Sequence, residues 1–157
     1  MKLTSHIGSA GLSNLADLTN FIRCGLTGWC LEVFWTGLGS LLSSDRKMTG
    51  TTSLIMFPIY GMAALFQPVY QLIKNRNMLF RGGVYTCCIF TAEYLSGSFL
   101  RLFHMCPWDY SGSRFAIQGL IRLDYAPVWF FTGLLMERIV RGGVPVIQKT
   151  QSAGDKA

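Results

Sequence analysis

The chain has 157 residues; half are apolar and only 14% are charged, against about 25% charged in an ordinary soluble domain. The charges gather between long apolar runs, which argues against a soluble globular domain and for one membrane unit. The net charge of +6 sits at the borders of apolar segments, so it fits contact with the lipid bilayer and its anionic headgroups rather than with nucleic acid.

Lys2 precedes a polar Ser/Gly stretch with no small-x-small cleavage site. The N-terminus is therefore not expected to be a cleavable signal. A membrane span needs about 20 mostly apolar residues, and four stretches qualify, at about residues 19–42, 53–73, 83–103 and 120–140. Helix is the reading for each, because an open strand edge is not tolerated in lipid. The expected fold is all-α: a polytopic membrane bundle of four transmembrane helices forming one domain over residues 1–157, with a mobile polar tail from about residue 143.

In the first stretch Arg23 lies near the inner end and Glu32 near the middle. Helical spacing puts Gly25, Gly28, Thr36 and Gly39 on the face of Glu32. The second contains Pro58 and Pro68, expected to kink it. In the third, Glu93 lies near the middle, Gly97 one turn on and Thr86 two turns back, with Arg101 at the outer end. In the fourth, Arg122 and Asp124 lie near the outer end. Ala126, Gly133 and Glu137 share one face, and Pro127 is expected to kink this helix too. Small-residue faces are where membrane helices approach closely, so Glu32, Glu93 and Glu137 are expected to point into the bundle or a self-association interface.

The connections at 43–52, 74–82 and 104–119 are short, which implies antiparallel neighbours. Lys and Arg favour one side: Lys2, Lys74, Arg76, Arg81, Arg141, Lys149 and Lys156, with Arg23 and Arg138 close by. The expectation is a multi-pass protein of the cell membrane with both termini cytoplasmic. On the outer side, Cys106-Pro107-Trp108-Asp109-Tyr110-Ser111 reads as an interfacial cap or a ligand mouth, with Pro107 stopping the third helix.

The acids carry most of the information. A charge at mid-membrane costs about 2.5–3.5 kcal/mol on insertion scales. Glu32 and Glu93 lie at similar depth with no basic residue beside them. Arg23 is placed to pair with Glu137, and Arg101 or Arg122 with Asp124. Two readings stay open. In one, Glu32, Glu93, Glu137 and Asp124 line a binding or transport path for a cation or proton. In the other, they fix helix packing.

The cysteines (Cys24, Cys30, Cys87, Cys88 and Cys106) lack metal-ligand spacing, and no metal or cofactor is expected. Arg81-Gly82-Gly83-Val84 and Arg141-Gly142-Gly143-Val144 lack the Lys-Ser/Thr ending of a P-loop and read as flexible helix ends. No hydrolase or metalloprotease signature is present, so the chain is not read as an enzyme.

Several elements together resemble a known family. They are Gly28-Trp29-Cys30-Leu31-Glu32, Met56-Phe57-Pro58-Ile59-Tyr60-Gly61, and Glu93-Tyr94 with Gly97 and Leu100-Arg101. To these add the Cys106–Ser111 run, Gly119-Leu120-Ile121-Arg122-Leu123-Asp124-Tyr125-Ala126-Pro127, Trp129 and Glu137. Over about residues 20–141 the chain is similar to the CmpB-type "putative ABC transporter type IV" membrane family, to which the vertebrate transmembrane protein 229 family is related. The resemblance implies a multi-pass membrane protein and gives its matched residues no role. The resulting expectation is a channel- or transporter-like protein, a permease component that acts as a homo-oligomer or with other membrane subunits. The alternative is a non-catalytic scaffold or regulatory subunit.

Overall fold

The computed structural model describes residues 3–142, with side chains from residue 15 onward. The expected mobile tail and the placement of both termini lie outside the described residues. The chain is mostly helical: α1 (Leu3–Leu42), α2 (Met56–Gly61), a 3-10 turn (Met62–Leu65), α3 (Phe66–Ile73), α4 (Met78–Leu102) and α5 (Ala126–Gly142). A two-stranded antiparallel hairpin, β1 (Ala116–Ile117) and β2 (Ile121–Arg122), stands between α4 and α5.

The helix ends follow from local chemistry. Both α1 and α4 stop in a left-handed residue, Ser44 and His104. Around each, two backbone bonds close the last turn: Asp45 N–H to Ser40 O and Ser44 N–H to Leu41 O in one, Met105 N–H to Leu100 O and His104 N–H to Arg101 O in the other. This double bond pattern satisfies carbonyls that the helix leaves unpaired, and it ends α4 before Pro107 is reached. At the other end of α4, the Asn77 side chain accepts from Phe80 N–H at 2.8 Å, a cap that starts the helix five residues before the expected boundary. Arg81, Gly82 and Gly83 are therefore helical, not a flexible connection.

The second and fourth stretches also differ from expectation. Pro58 and Pro68 each fall in the first turn of a short helix, α2 and α3, where the missing N–H costs little. The interruption is the 3-10 turn between them. Residues 120–125 are not helix: they form the end of the hairpin, β2 and a 3-10 turn at Leu123–Tyr125. Pro127 is the second residue of α5 and starts that helix instead of kinking it.

No helix among the described residues is long and apolar enough to cross a membrane, against the expectation of four such spans. α5 has 17 residues, roughly 26 Å at 1.5 Å per residue. The second stretch is split. The apolar run of α4 is interrupted by Arg81, Glu93 and Arg101, and that of α1 by Arg23, Glu32 and many small polar residues.

The helices pack as two close pairs, α1 on α2 and α4 on α5, and α5 also touches α3 and α1. Glycine makes each pair possible. A Cβ at Gly28 would meet Tyr60 at 2.1 Å, and one at Gly25 would meet Phe57 at 2.8 Å. In the other pair, a Cβ at Gly133 would lie 2.4 Å from Tyr85 Cβ, and one at Gly82 would lie 2.2 Å from Phe130. The expected small-residue faces of α1 and α5 are thus packing faces, except Gly39, which has open space beside it. The core is small: Cys24, Phe66, Tyr85, Met136 and Val140, with the Phe66 and Tyr85 rings stacked at 4.8 Å.

Gly133→Ala should destabilise the protein by about 1–3 kcal/mol, because the new methyl meets the near end of Tyr85 and cannot be relieved by a rotamer change. Gly83→Ala, facing open space in the same helix pair, should be neutral or stabilising by up to about 1 kcal/mol. Equilibrium unfolding of the two purified variants checks the contrast.

Candidate functional site

Glu32, Thr36 and Ser40 recur every four residues on one face of α1, and residues 49–53 lie along that face. Thr36 Oγ1 donates to Thr51 O at 2.9 Å and accepts from Thr51 N–H at 2.8 Å. Ser40 Oγ donates to Thr49 O at 2.8 Å. The result is that Thr52 Oγ1 donates to Glu32 Oε2 at 2.9 Å. Tyr60, brought in by α2, has its hydroxyl beside the same carboxylate.

On α4, Glu93 is 9% exposed. The Tyr110 hydroxyl reaches Glu93 Oε1 at 3.5 Å, and Trp129 of α5 stands beside the carboxylate. Glu93 Oε2 and Trp129 Nε1 are both buried without a hydrogen-bond partner of acceptable geometry. Tyr110 is held there by the loop. Its N–H donates to Gly119 O at 2.9 Å, while Trp108 Nε1 donates to Leu120 O at 3.1 Å. Asp109 Oδ1 accepts from Ser111 Oγ at 2.6 Å and Ser111 N–H at 3.0 Å. These bonds hold the Asp109 carboxyl below the usual carboxylate range.

Gly119, at φ +68°, closes the cap. A Cβ there would lie 2.4 Å from Ser111 Oγ and 2.7 Å from Asp109 Oδ1. The Cys106–Ser111 run and the Gly119–Pro127 run thus form one cap over the ends of α4 and α5.

Glu32 and Glu93 line a common cavity of about 1150 Å³, which also takes Tyr60, Trp108, Asp109, Tyr110, Tyr125 and Trp129 into its wall. The charged residues of that wall are all acids: Glu32, Glu93 and Asp109. Pro107 borders it as well, whereas Cys106 does not.

The other residues singled out in the sequence lie elsewhere. Glu137 is 2% exposed and outside this cavity. Arg81 clasps it with two bonds, Nε to Oε2 at 2.9 Å and Nη2 to Oε1 at 2.7 Å, and Arg141 adds Nη1 to Oε1 at 3.4 Å. Both arginines also stand over the Tyr70 ring. Arg23, expected to pair with Glu137, is exposed and in no ion pair among the described residues.

Asp124 pairs with its near neighbour Arg122 at 2.8 Å. Of the two expected partners Arg122 is thus the one that pairs, and Arg101 turns instead to Gln118 O at 2.5 Å and to Asp109 at 3.5 Å. Depth along a helix could not distinguish these partners. The sequence signal for Arg81 was the Asn77 cap, which places Arg81 one turn into a helix. No linear spacing joins Tyr60, Tyr110 and Trp129 to the acids, because they arrive from separate elements. Among the described residues no cluster of His, Cys, Asp or Glu could hold a metal ion.

Arg81→Met should destabilise the protein by up to about 3 kcal/mol, since it leaves a buried carboxylate with only the longer Arg141 contact. The double variant Arg81→Met/Glu137→Met should recover most of that loss. Unfolding midpoints of Arg81→Met, Glu137→Met and the double variant test this; a double loss equal to the sum of the single losses would show that the pair is not a coupled unit.

No solved structure matches the chain. The model of the family described as "Putative ABC-transporter type IV" matches residues 19–153, which take in α1 from residue 19, the helices α2 to α5 and the cap. The chain belongs to that family.

Proposed function

We propose that the protein is a multi-pass membrane component of transporter or channel type, whose path or binding chamber is the cavity shared by Glu32 and Glu93. The observation that carries this reading is the convergence of two carboxylates from different helices on one large chamber with no basic residue in its wall among the described residues. A chamber with only negative formal charge favours cations or protons.

Membrane placement is supported by the family and by the surface. Leu72 is 86% exposed, Leu42 81% and Leu54 80%, and Leu15, Phe34, Leu79, Leu95, Phe99 and Phe131 are also exposed. Among the described residues the buried polar side chains are Asn20, Thr86, Glu93 and Glu137. Polar groups inside and large apolar ones outside is the arrangement that lipid, not water, stabilises. In this reading the helical stretches cross or embed in the bilayer as one bundle, and the protein works as the membrane part of a larger assembly or as repeated copies.

The scaffold reading finds its support at Glu137, not at the cavity. That carboxylate is fully engaged by Arg81 and Arg141, and it ties α4 to α5. We assign it to packing and Asp124 to the local pair with Arg122, leaving Glu32 and Glu93 as the working acids.

Two measurements test the proposal. Native protein should stay with the membrane fraction after alkaline carbonate extraction, and release into the supernatant would refute membrane embedding. In proteoliposomes, flux should be seen with at least one of protons, potassium or the fluorescent cation ethidium. Glu32→Gln/Glu93→Gln should abolish that flux while the protein still purifies as a single species. Absence of flux for all three probes, or wild-type flux in the double variant, sinks the transport reading.

A further inference from the structure

We infer that the cavity binds a lipophilic organic cation, an ammonium or similar centre on an apolar body, with the cation seated between Glu93 and an aromatic cluster. The inference rests on the reading of the cavity given above and names its ligand class.

Three features point the same way. First, the chamber of about 1150 Å³ is larger than a bare ion requires and is in the range of a drug-sized molecule or above it. Second, most of its wall is apolar, with Ile59, Leu65, Phe66, Val69, Ile89 and Val128 among the contributors. An inorganic cation would leave that surface without a partner, whereas an alkyl or aryl body covers it.

Third, one end of the chamber is built for positive charge. Tyr125 is surrounded by Trp35 at 5.8 Å, Tyr110 at 5.8 Å and Trp129 at 6.4 Å, each ring nearly perpendicular to it. One face of Tyr125 is taken by Arg122, so the rings placed to attract an ammonium centre are Trp35, Tyr110 and Trp129, which also line the cavity. Glu93 stands in the same place, 9% exposed, with Trp129 beside it and Oε2 in no hydrogen bond of acceptable geometry among the described residues. Arg122 stacks over the Tyr125 ring at 4.3 Å but is paired with Asp124 and lies outside the cavity wall. A buried carboxylate oxygen, aromatic faces and an apolar chamber together recognise a cation that also has an apolar body. Neither an anion nor a neutral hydrocarbon satisfies all three.

The test uses the full chain in a non-ionic detergent and radiolabelled tetraphenylphosphonium as the probe. Saturable binding is expected, with tetraphenylborate, of matching shape and opposite charge, failing to compete. Glu93→Gln should weaken binding about tenfold or more, and Trp129→Leu should weaken it also. Tyr110→Phe, which keeps the ring and loses the hydroxyl, should bind within about threefold of wild type because the π-face remains.

Equal competition by tetraphenylborate overturns the inference, and so does wild-type affinity in Glu93→Gln. If Glu93→Gln does not fold, Glu32→Gln and the charge selectivity of the unmodified protein still decide it. Competition by added phosphatidylcholine identifies a lipid headgroup as the source of the cation. Its absence identifies a free solute, and both outcomes support the shared chemistry. Proton or potassium flux without tetraphenylphosphonium binding removes the ligand class and leaves the transport reading standing. Binding without any flux does the reverse.

Discussion

Within each helix pair the backbones approach until only hydrogen fits on the contact face. Gly25 and Gly28 receive the rings of Phe57 and Tyr60, and Gly82 and Gly133 receive Phe130 and Tyr85. Close approach of this kind raises packing attraction without needing a large apolar core. It also fixes where free volume is left. α1 closes on α2 and α4 closes on α5, while α1 and α4 do not pack along each other. The aromatic rings spent on glycine faces hold the pairs together but do not fill the space between them. The chamber is what remains, and its wall is drawn from both pairs and from the cap.

The three acids on helix faces are in different physical situations. Glu137 is enclosed but charge-compensated, with a two-bond clasp from Arg81 that matches carboxylate geometry. Such a pair specifies how α4 and α5 meet, and breaking one side is far more costly than replacing both. Glu32 and Glu93 are hydrogen-bonded only by neutral groups, Thr52 and Tyr110. Hydroxyls hydrogen-bond a carboxyl group without supplying a countercharge, so neither acid is paired with a base among the described residues. Tyr60 stands beside Glu32 and Tyr110 beside Glu93, and all four border the same cavity.

Much of this architecture was legible in residue spacing. Counting turns placed Glu32 and Glu93 at one depth on helices running the same way, and both border one cavity. The helical cores of all four stretches were also visible as long apolar runs. The misreadings have separate causes. Gly82-Gly83 looked like a flexible boundary, because glycine weakens a helix in isolation; against the Phe130 ring, Gly82 is a contact surface instead. Residues 120–125 looked like the start of a helix because Leu120, Ile121, Leu123 and Tyr125 run on into the apolar fourth stretch. The left-handed backbone at Gln118 and Gly119 turns them into a hairpin, and the Trp108 and Tyr110 bonds hold that hairpin in place. Ion-pair partners were the least legible, since Arg81, Arg23 and Arg141 all lie near one end of the bundle. Rotation around the helix axis, which depth does not report, chose between them.

The same rotational argument bears on the tension between low helix hydropathy and an apolar exterior. A hydropathy average runs along the sequence and weighs every face of a helix equally. In α4 the apolar run is interrupted by the buried Glu93 and by the half-buried Arg81 and Arg101 towards its ends, while Leu79 and Leu102 are exposed. In α5 Glu137 is buried and Phe131 faces outward. A helix that is polar only where it meets its neighbours fails a linear test and still presents lipid-compatible side chains around its outer face. This follows directly from having an acid-lined interior in a bundle of few helices: each inward polar residue lowers the average of its own helix. Two demands therefore compete in every helix of so small a bundle. A more apolar set of helices would lose the carboxyl groups that line the chamber.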